Sequence, residues 1–341
     1  MIKSVLYLLL LSTTVASAQT FQIEKITTGT DAYFRSMSVV NDRVVWVGGS
    51  KGVVGRSLDG GKTWRFLQVK GHEKLEFRSL YAFDSLTAVI ANAGTPALIM
   101  RTMDGGRNWK TVFQNSHPDA FIDGVDFWNG REGVVYGDAI EGSMLLVKTM
   151  DGGRTWKEVP PDLRPNLLEG EGSFAASGTN IRCLGKNKLV IATGGKHSRI
   201  FLSDDKGKSF TVVQAPIIQG ETMTGIFSAA FRNERQGLIV GGNYNVDSLK
   251  RDHVFLTTDG GKTWKAPQIP TRGIREGSEY ITDKIIVATG FPGTDISYDG
   301  GNTWQPLSDE RQFAVVRKAR TGSLVVLAGG NGKIGLLKSV E

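Results

Sequence analysis

Thr149-Met-Asp151-Gly-Gly153-Arg-Thr155-Trp156 decides the fold, because the sequence repeats that pattern five more times. Ser57–Trp64 (SLDGGKTW), Thr102–Trp109 (TMDGGRNW), Ser203–Phe210 (SDDKGKSF), Thr257–Trp264 (TTDGGKTW) and Ser297–Trp304 (SYDGGNTW) carry the same order of residues. Their aspartates, Asp59, Asp104, Asp151, Asp205, Asp259 and Asp299, lie 45, 47, 54, 54 and 40 positions apart, about the length of one β-propeller blade. Each position has a role in a hairpin turn. The carboxylate accepts hydrogen bonds from backbone N–H groups of the turn. The second glycine permits positive φ, and the closing Trp or Phe starts the next strand and fills the core between blades. Turn chemistry accounts for every position, so these aspartates read as structural.

The segments before each box repeat as well. An alternating strand such as Phe77–Phe83 is followed by a polar turn and a strand that runs into a small residue. Those second strands are Val44–Gly49, Val89–Ala93, Gly133–Gly137, Val190–Gly195, Leu238–Gly242, Ile285–Gly290 and Leu324–Gly330. A third strand, such as Leu145–Thr149 or Val254–Thr257, enters the box, and a fourth leaves it. Short, evenly spaced strands without helical periodicity predict an all-β chain. Six boxes mark seven blades: after Trp304 three strands remain, at Phe313–Lys318, Leu324–Gly330 and Lys333–Lys338. The missing fourth strand is available at Phe21–Thr27, and pairing it with the C-terminal strands removes the open edge. No linker interrupts residues 19–341, which are expected to form one seven-bladed domain of four-stranded antiparallel blades.

The N-terminus reads as a cleaved export signal: Lys3, the apolar run Val5–Leu11, then Ala16-Ser17-Ala18, with cleavage before Gln19. The apolar run is too short to span a membrane, so the expected product is a secreted or periplasmic monomer without an integral membrane segment. Cys183 is the only cysteine, which excludes an internal disulfide. The net charge of +7 is spread along the chain without runs of Lys or Arg, so nucleic acid is not an expected partner.

The six boxes resemble the Asp-box, or BNR, repeats of sialidases, of xyloglucan-degrading glycosidases and of the sortilin ectodomain. Their spacing, and phrases such as Thr149–Val159 (TMDGGRTWKEV), most resemble the single-propeller photosystem II assembly and stability factor group. Gly172–Asn180 and Thr224–Tyr244 are similar to a bacterial branch of such propellers. The resemblance implies the fold and says little about activity, since the boxes are structural turns. Sialidases carry Arg-Ile-Pro near the start, where this chain reads Phe34-Arg35-Ser36, and they have six blades.

In a propeller the boxes lie on one face. Inter-blade loops, and loops joining second to third strands, lie on the other, where ligands meet the central channel. Aligning the innermost strands puts Arg35, Arg78, Arg275 and Arg311 at a shared starting position in blades one, two, six and seven. Blades three and four instead offer Asp123, Asp138, Glu169 and Glu171. Forked guanidinium groups suit a carboxylate, phosphate or sulfate; as solvated charges or ion pairs they would be inert. The four acids are the candidates for a glycosidase pair, which requires carboxyl groups about 5–10 Å apart. His72, His117, His197 and His253 lack ligand spacing, so no metal is expected. Gly329-Gly-Asn-Gly332 sits in a hairpin with no helix after it, so no nucleotide cofactor is expected either. The longest loops are Pro160–Gly172, where Leu167 and Leu168 are expected to be exposed, and Asn243–Asp252. The function expected is an exported, non-catalytic scaffold that recognises a protein segment or an anionic glycan at the inter-blade-loop face. The alternative is a glycoside hydrolase.

Overall fold

Strands and a single 3-10 turn at Pro161–Leu163 make up the regular structure of residues 20–340, the part described by the computed structural model. The leader expected at residues 1–18 lies outside the described residues. Among those residues, no helix is long and apolar enough to cross a membrane.

The strands form seven antiparallel sheets whose order follows the sequence from the innermost strand outward. The inner strands are Phe34–Val39, Phe77–Ala82, Ile122–Phe127, Ile181–Leu184, Thr224–Phe231, Gly277–Tyr280 and Phe313–Lys318, for blades 1 to 7. Each packs on the inner strand of the next blade, and blade 7 packs on blade 1. The ring closes as expected: Thr20–Ile26 pairs along its whole length with Ile334–Val340, as the outer strand of blade 7. In blade 5 the outer strand is reduced to a single bridge, Leu256 to Lys265. Two short strands, Glu171–Gly172 and Gly194–Gly195, extend that sheet on its inner side.

The core is distributed between blades. Trp156, which closes the third box, is buried with Val89, Phe127 and Leu145, and meets Phe127 edge-on at 5.8 Å. The box itself is a hydrogen-bonded cage. Asp151 Oδ1 accepts from Thr149 Oγ1 at 2.9 Å and from the N–H groups of Arg154 and Thr155 at 2.9 and 3.0 Å. Its Oδ2 accepts from Thr155 Oγ1 at 2.7 Å. The other boxes repeat this, with Asn108 replacing the hydroxyl in the second. Positive φ occurs at both box positions and not only at the second glycine. In the fourth box Lys206 occupies the first, at φ 61°.

Five inner strands carry a β-bulge at the same level, and the bulged residues are Arg35, Arg78, Asp123, Phe227 and Ala314. The chain entering such a strand presses a carbonyl group toward the second strand, two residues before the bulge in blades 3 and 7, which explains the small residue there. A Cβ at Gly137 would collide with the carbonyl of Phe121, and one at Gly329 with that of Gln312. Leu167 departs from expectation: it is buried with Tyr136 and Leu146, whereas Leu168 is exposed.

Candidate functional site

The bulges set a layer of side chains at the loop-face end of the channel. Register places Arg35, Arg78, Asp123, Thr179, Phe227, Glu276 and Ala314 at equivalent positions. Glu276 thus stands where the sequence alignment set Arg275, and Ala314 where it set Arg311. Blade 6 lacks the bulge, and the entry loops differ in length, so the frame shifts by one residue in blade 6 and by three in blade 7.

The four arginines therefore separate. Arg35 and Arg78 come together on Glu76, at 3.2 and 2.6 Å. Arg275 is fully buried, ion-paired to Asp295 of its own blade and bonded to the carbonyl of Ile274. Arg311 stands outside, 2.9 Å from Asp247 on the long loop of blade 5 and over the ring of Phe291.

The four acids also separate. Asp123 is fully buried, and neither of its oxygens has a hydrogen-bond partner; burial and the neighbouring Asp138 charge hold it well above the usual carboxylate range. Burial pushes Asp138 up to about 6, against the pull of the Ser173 N–H. Asp138 is the charged neighbour of Asp123 in this buried spot, whereas the two carboxyls of a glycosidase flank a bound sugar about 5–10 Å apart. Glu171 is saturated: it is paired with Arg199 and accepts from Thr193 Oγ1 at 2.6 Å and the Leu168 N–H at 2.9 Å. Glu169 is in solvent, 3.7 Å from Lys196. Glu276 escaped the sequence reading: burial pushes it up to about 7 although Arg35 and Arg275 oppose the shift. Its alignment with Arg35 was the available signal, hidden by the bulge.

Ser173–Asn180 enters the channel and reaches this layer, to which its own Thr179 belongs. Ser177 Oγ donates to the carbonyl of Glu276 at 2.7 Å, and Thr179 Oγ1 to Ser228 Oγ at 2.7 Å. Arg317 reaches the Gly178 carbonyl at 3.3 Å. Phe174 stacks on Phe227 at 3.9 Å, and Phe227 on Tyr244 at 6.3 Å. The plug thus ties blades 5, 6 and 7 together. Beside it, a recess of about 570 Å³ lies between blades 3 and 4, bordered by Asp138, Phe174 and Thr222. The two long loops of the same face leave Leu163, Leu168, Tyr244 and Val246 exposed, by 55, 46, 37 and 50%. Among the described residues, no group of three or more His, Cys, Asp or Glu side chains is placed to hold a metal ion.

Seven blades with six hydrogen-bonded Asp turns define an Asp-box, or BNR, β-propeller. The chain is similar to the photosystem II assembly factor group within that class. The family model described as "Photosynthesis system II assembly factor YCF48" matches residues 14–118, and the BNR/Asp-box repeat model matches residues 255–266. Among solved structures, "YCF48 bound to D1 peptide" is 17% identical, with TM-score 0.67 over 94% of this chain and 97% of that one. "YCF48 from Cyanidioschyzon merolae" is 14% identical, with TM-score 0.65 over 92% and 98%. The GH74 xyloglucanase from Xanthomonas campestris is 13% identical, with TM-score 0.61 over 92% of this chain and 53% of that one. At these identities the likeness establishes the fold. No curated protein matches the chain.

Proposed function

We propose that the chain is a non-catalytic scaffold that holds an extended protein segment at the inter-blade-loop face. The observation that carries this reading is the apolar rim of that face. Leu163 and Leu168 on one long loop, and Tyr244 and Val246 on the other, are exposed on the face that also carries the half-buried pair Arg35 and Arg78. Exposed apolar groups beside fixed charges are what a peptide backbone with mixed side chains requires. The solved neighbour described with a bound D1 peptide supports this class of ligand. The carboxylates give the hydrolase reading no comparable support, because Asp123 and Asp138 share one buried spot and Glu171 is locked to Arg199.

Selection of linear peptides on the purified chain tests the proposal. Selected peptides should bind about tenfold more weakly to Leu168→Asp and Val246→Asp, whose new charges must be desolvated, with no change in melting temperature. Failure to select any peptide, together with oligosaccharide cleavage that Asp138→Asn abolishes, would overturn it. Export is part of the same proposal, and a mature N-terminus at Gln19 would support it.

A further inference from the structure

The opposite end of the channel is open. A cavity of about 490 Å³ lies at the box face, and all seven inner strands contribute to its wall. Register sets Ser38, Tyr81, Asp126, Arg182, Glu279 and Arg317 at one level of this wall. Five cationic side chains, Arg182, Arg232, Arg317, Lys318 and Arg320, face three anionic ones, Asp126, Glu279 and Asp283.

The anions are already engaged. Asp126 accepts N–H groups from Phe127 and Cys183 at 2.9 and 2.8 Å. Glu279 lies 3.5 Å from Arg317, and Asp283 lies 3.7 Å from Arg232. Arg320 donates to Ser38 Oγ at 2.8 Å and to the Ala82 carbonyl, over the ring of Tyr81. Arg182 differs from all of these. It is only 8% exposed, its Nε donates to the Ala229 carbonyl at 2.7 Å, and its Nη2 has no hydrogen-bond partner among the described residues. No carboxylate stands within ion-pair distance of it among those residues. Burial, and then the neighbouring charge of Arg317, pull Arg182 down to about 10, so it remains charged at neutral pH. Glu279 and Asp126 act on it only from beyond ion-pair distance, and a buried guanidinium without a carboxylate in contact and with a second guanidinium nearby is stabilised when an anion joins it.

The geometry points to a second binding site at the box-side mouth of the channel, in which Arg182, Arg317 and Arg320 hold the oxyanion of a small phosphorylated or carboxylated molecule. A planar fork with a free N–H edge is suited to either group. This site is distinct from the peptide face: the plug at Ser173–Asn180 lies between the two, and Arg317 touches it at the Gly178 carbonyl.

Melting of the full chain at constant ionic strength, titrated with inorganic phosphate or with citrate against chloride, tests the assignment. A saturable rise in melting temperature is expected with at least one anion, and the responding anion separates phosphate from carboxylate recognition. Arg182→Met should weaken that response by about tenfold or more. In chloride alone the same variant should melt at or above the wild-type temperature, because it removes an unpaired buried charge. If Arg182→Met does not fold, Arg320→Gln and calorimetric titration of the wild type with phosphate and citrate provide the same comparison. An unsaturable response in the wild type, or equal responses in the wild type and the arginine variants, would overturn the site.

Discussion

Individual carboxyl groups in this propeller divide into two populations with opposite pH behaviour. Hydrogen bonds from the Thr63 and Thr263 hydroxyls, joined by the N–H groups of the same residues, hold Asp59 and Asp259 at about 2. Their folded-state pKa lies below the unfolded one, so their stabilisation is complete above about 3.8 and is lost as pH falls toward about 2. Glu276 behaves oppositely. The unfolded chain releases this proton above about 4.5 while the folded chain keeps it to about 7, so stability falls as pH rises through that window. Chemical denaturation between these pH values should show a shallower decline for Glu276→Gln than for the wild type, and equal slopes would contradict its burial. Asp151→Ala should lower stability by about 1–3 kcal/mol, since it strands the N–H groups and hydroxyls of its turn. Peptide affinity measured on the folded fraction should be unchanged. Every residue of this cage is legible in the eight-residue pattern, because all its bonds are local. Glu276 was not legible, because its shift comes from burial, which only the assembled ring imposes.

At the level of the strand, the bulge and the glycine opposite it form one device. Gly137 leaves room for the Phe121 carbonyl, and the bulge then turns Asp123 toward the channel end. Gly137→Ala should cost about 1–3 kcal/mol through overpacking. Gly130→Ala, where an added Cβ meets nothing within 4 Å, should stay within about 0.5 kcal/mol. Urea denaturation of the two variants distinguishes a packing constraint from a general effect of losing glycine. The sequence displayed the glycines as strand ends but not their reason. A bulge inserts one residue into the period-two alternation, and a pattern that counts residues cannot show where that insertion falls. For this reason Arg275 aligns with Arg35 and Arg78 in the sequence, and Arg311 does so because the entry loop of blade 7 differs in length, although only Arg35 and Arg78 meet.

For the whole molecule, closure of the ring is the decisive interaction. Thr20–Ile26 covers the edge of Ile334–Val340, more than 300 residues away along the chain. Removing residues 19–28 should expose that edge and cause aggregation or a large drop in melting temperature, followed by size-exclusion chromatography and calorimetry. A truncated chain that melted like the intact one would show that the closing strand contributes nothing. The long-range plug makes a second connection of this kind, since it starts beside Asp138 of blade 3 and reaches blades 5, 6 and 7.

What the sequence determined by itself was therefore everything repeated, namely the blade number, the box turns and the order of strands, and, through the strand missing from the last repeat, the pairing of the two termini. A repeat is legible because each copy must solve the same local problem of turning a strand and burying one aromatic ring. What only the tertiary structure decided was everything that differs between copies. It decided which side chains meet around the channel, that the loop-face end is plugged while the box-face end is open, and that Arg182 Nη2 has no hydrogen-bond partner among the described residues. Those outcomes depend on the one-residue register shifts and on contacts between blades distant in sequence, and neither leaves a periodic trace in the chain.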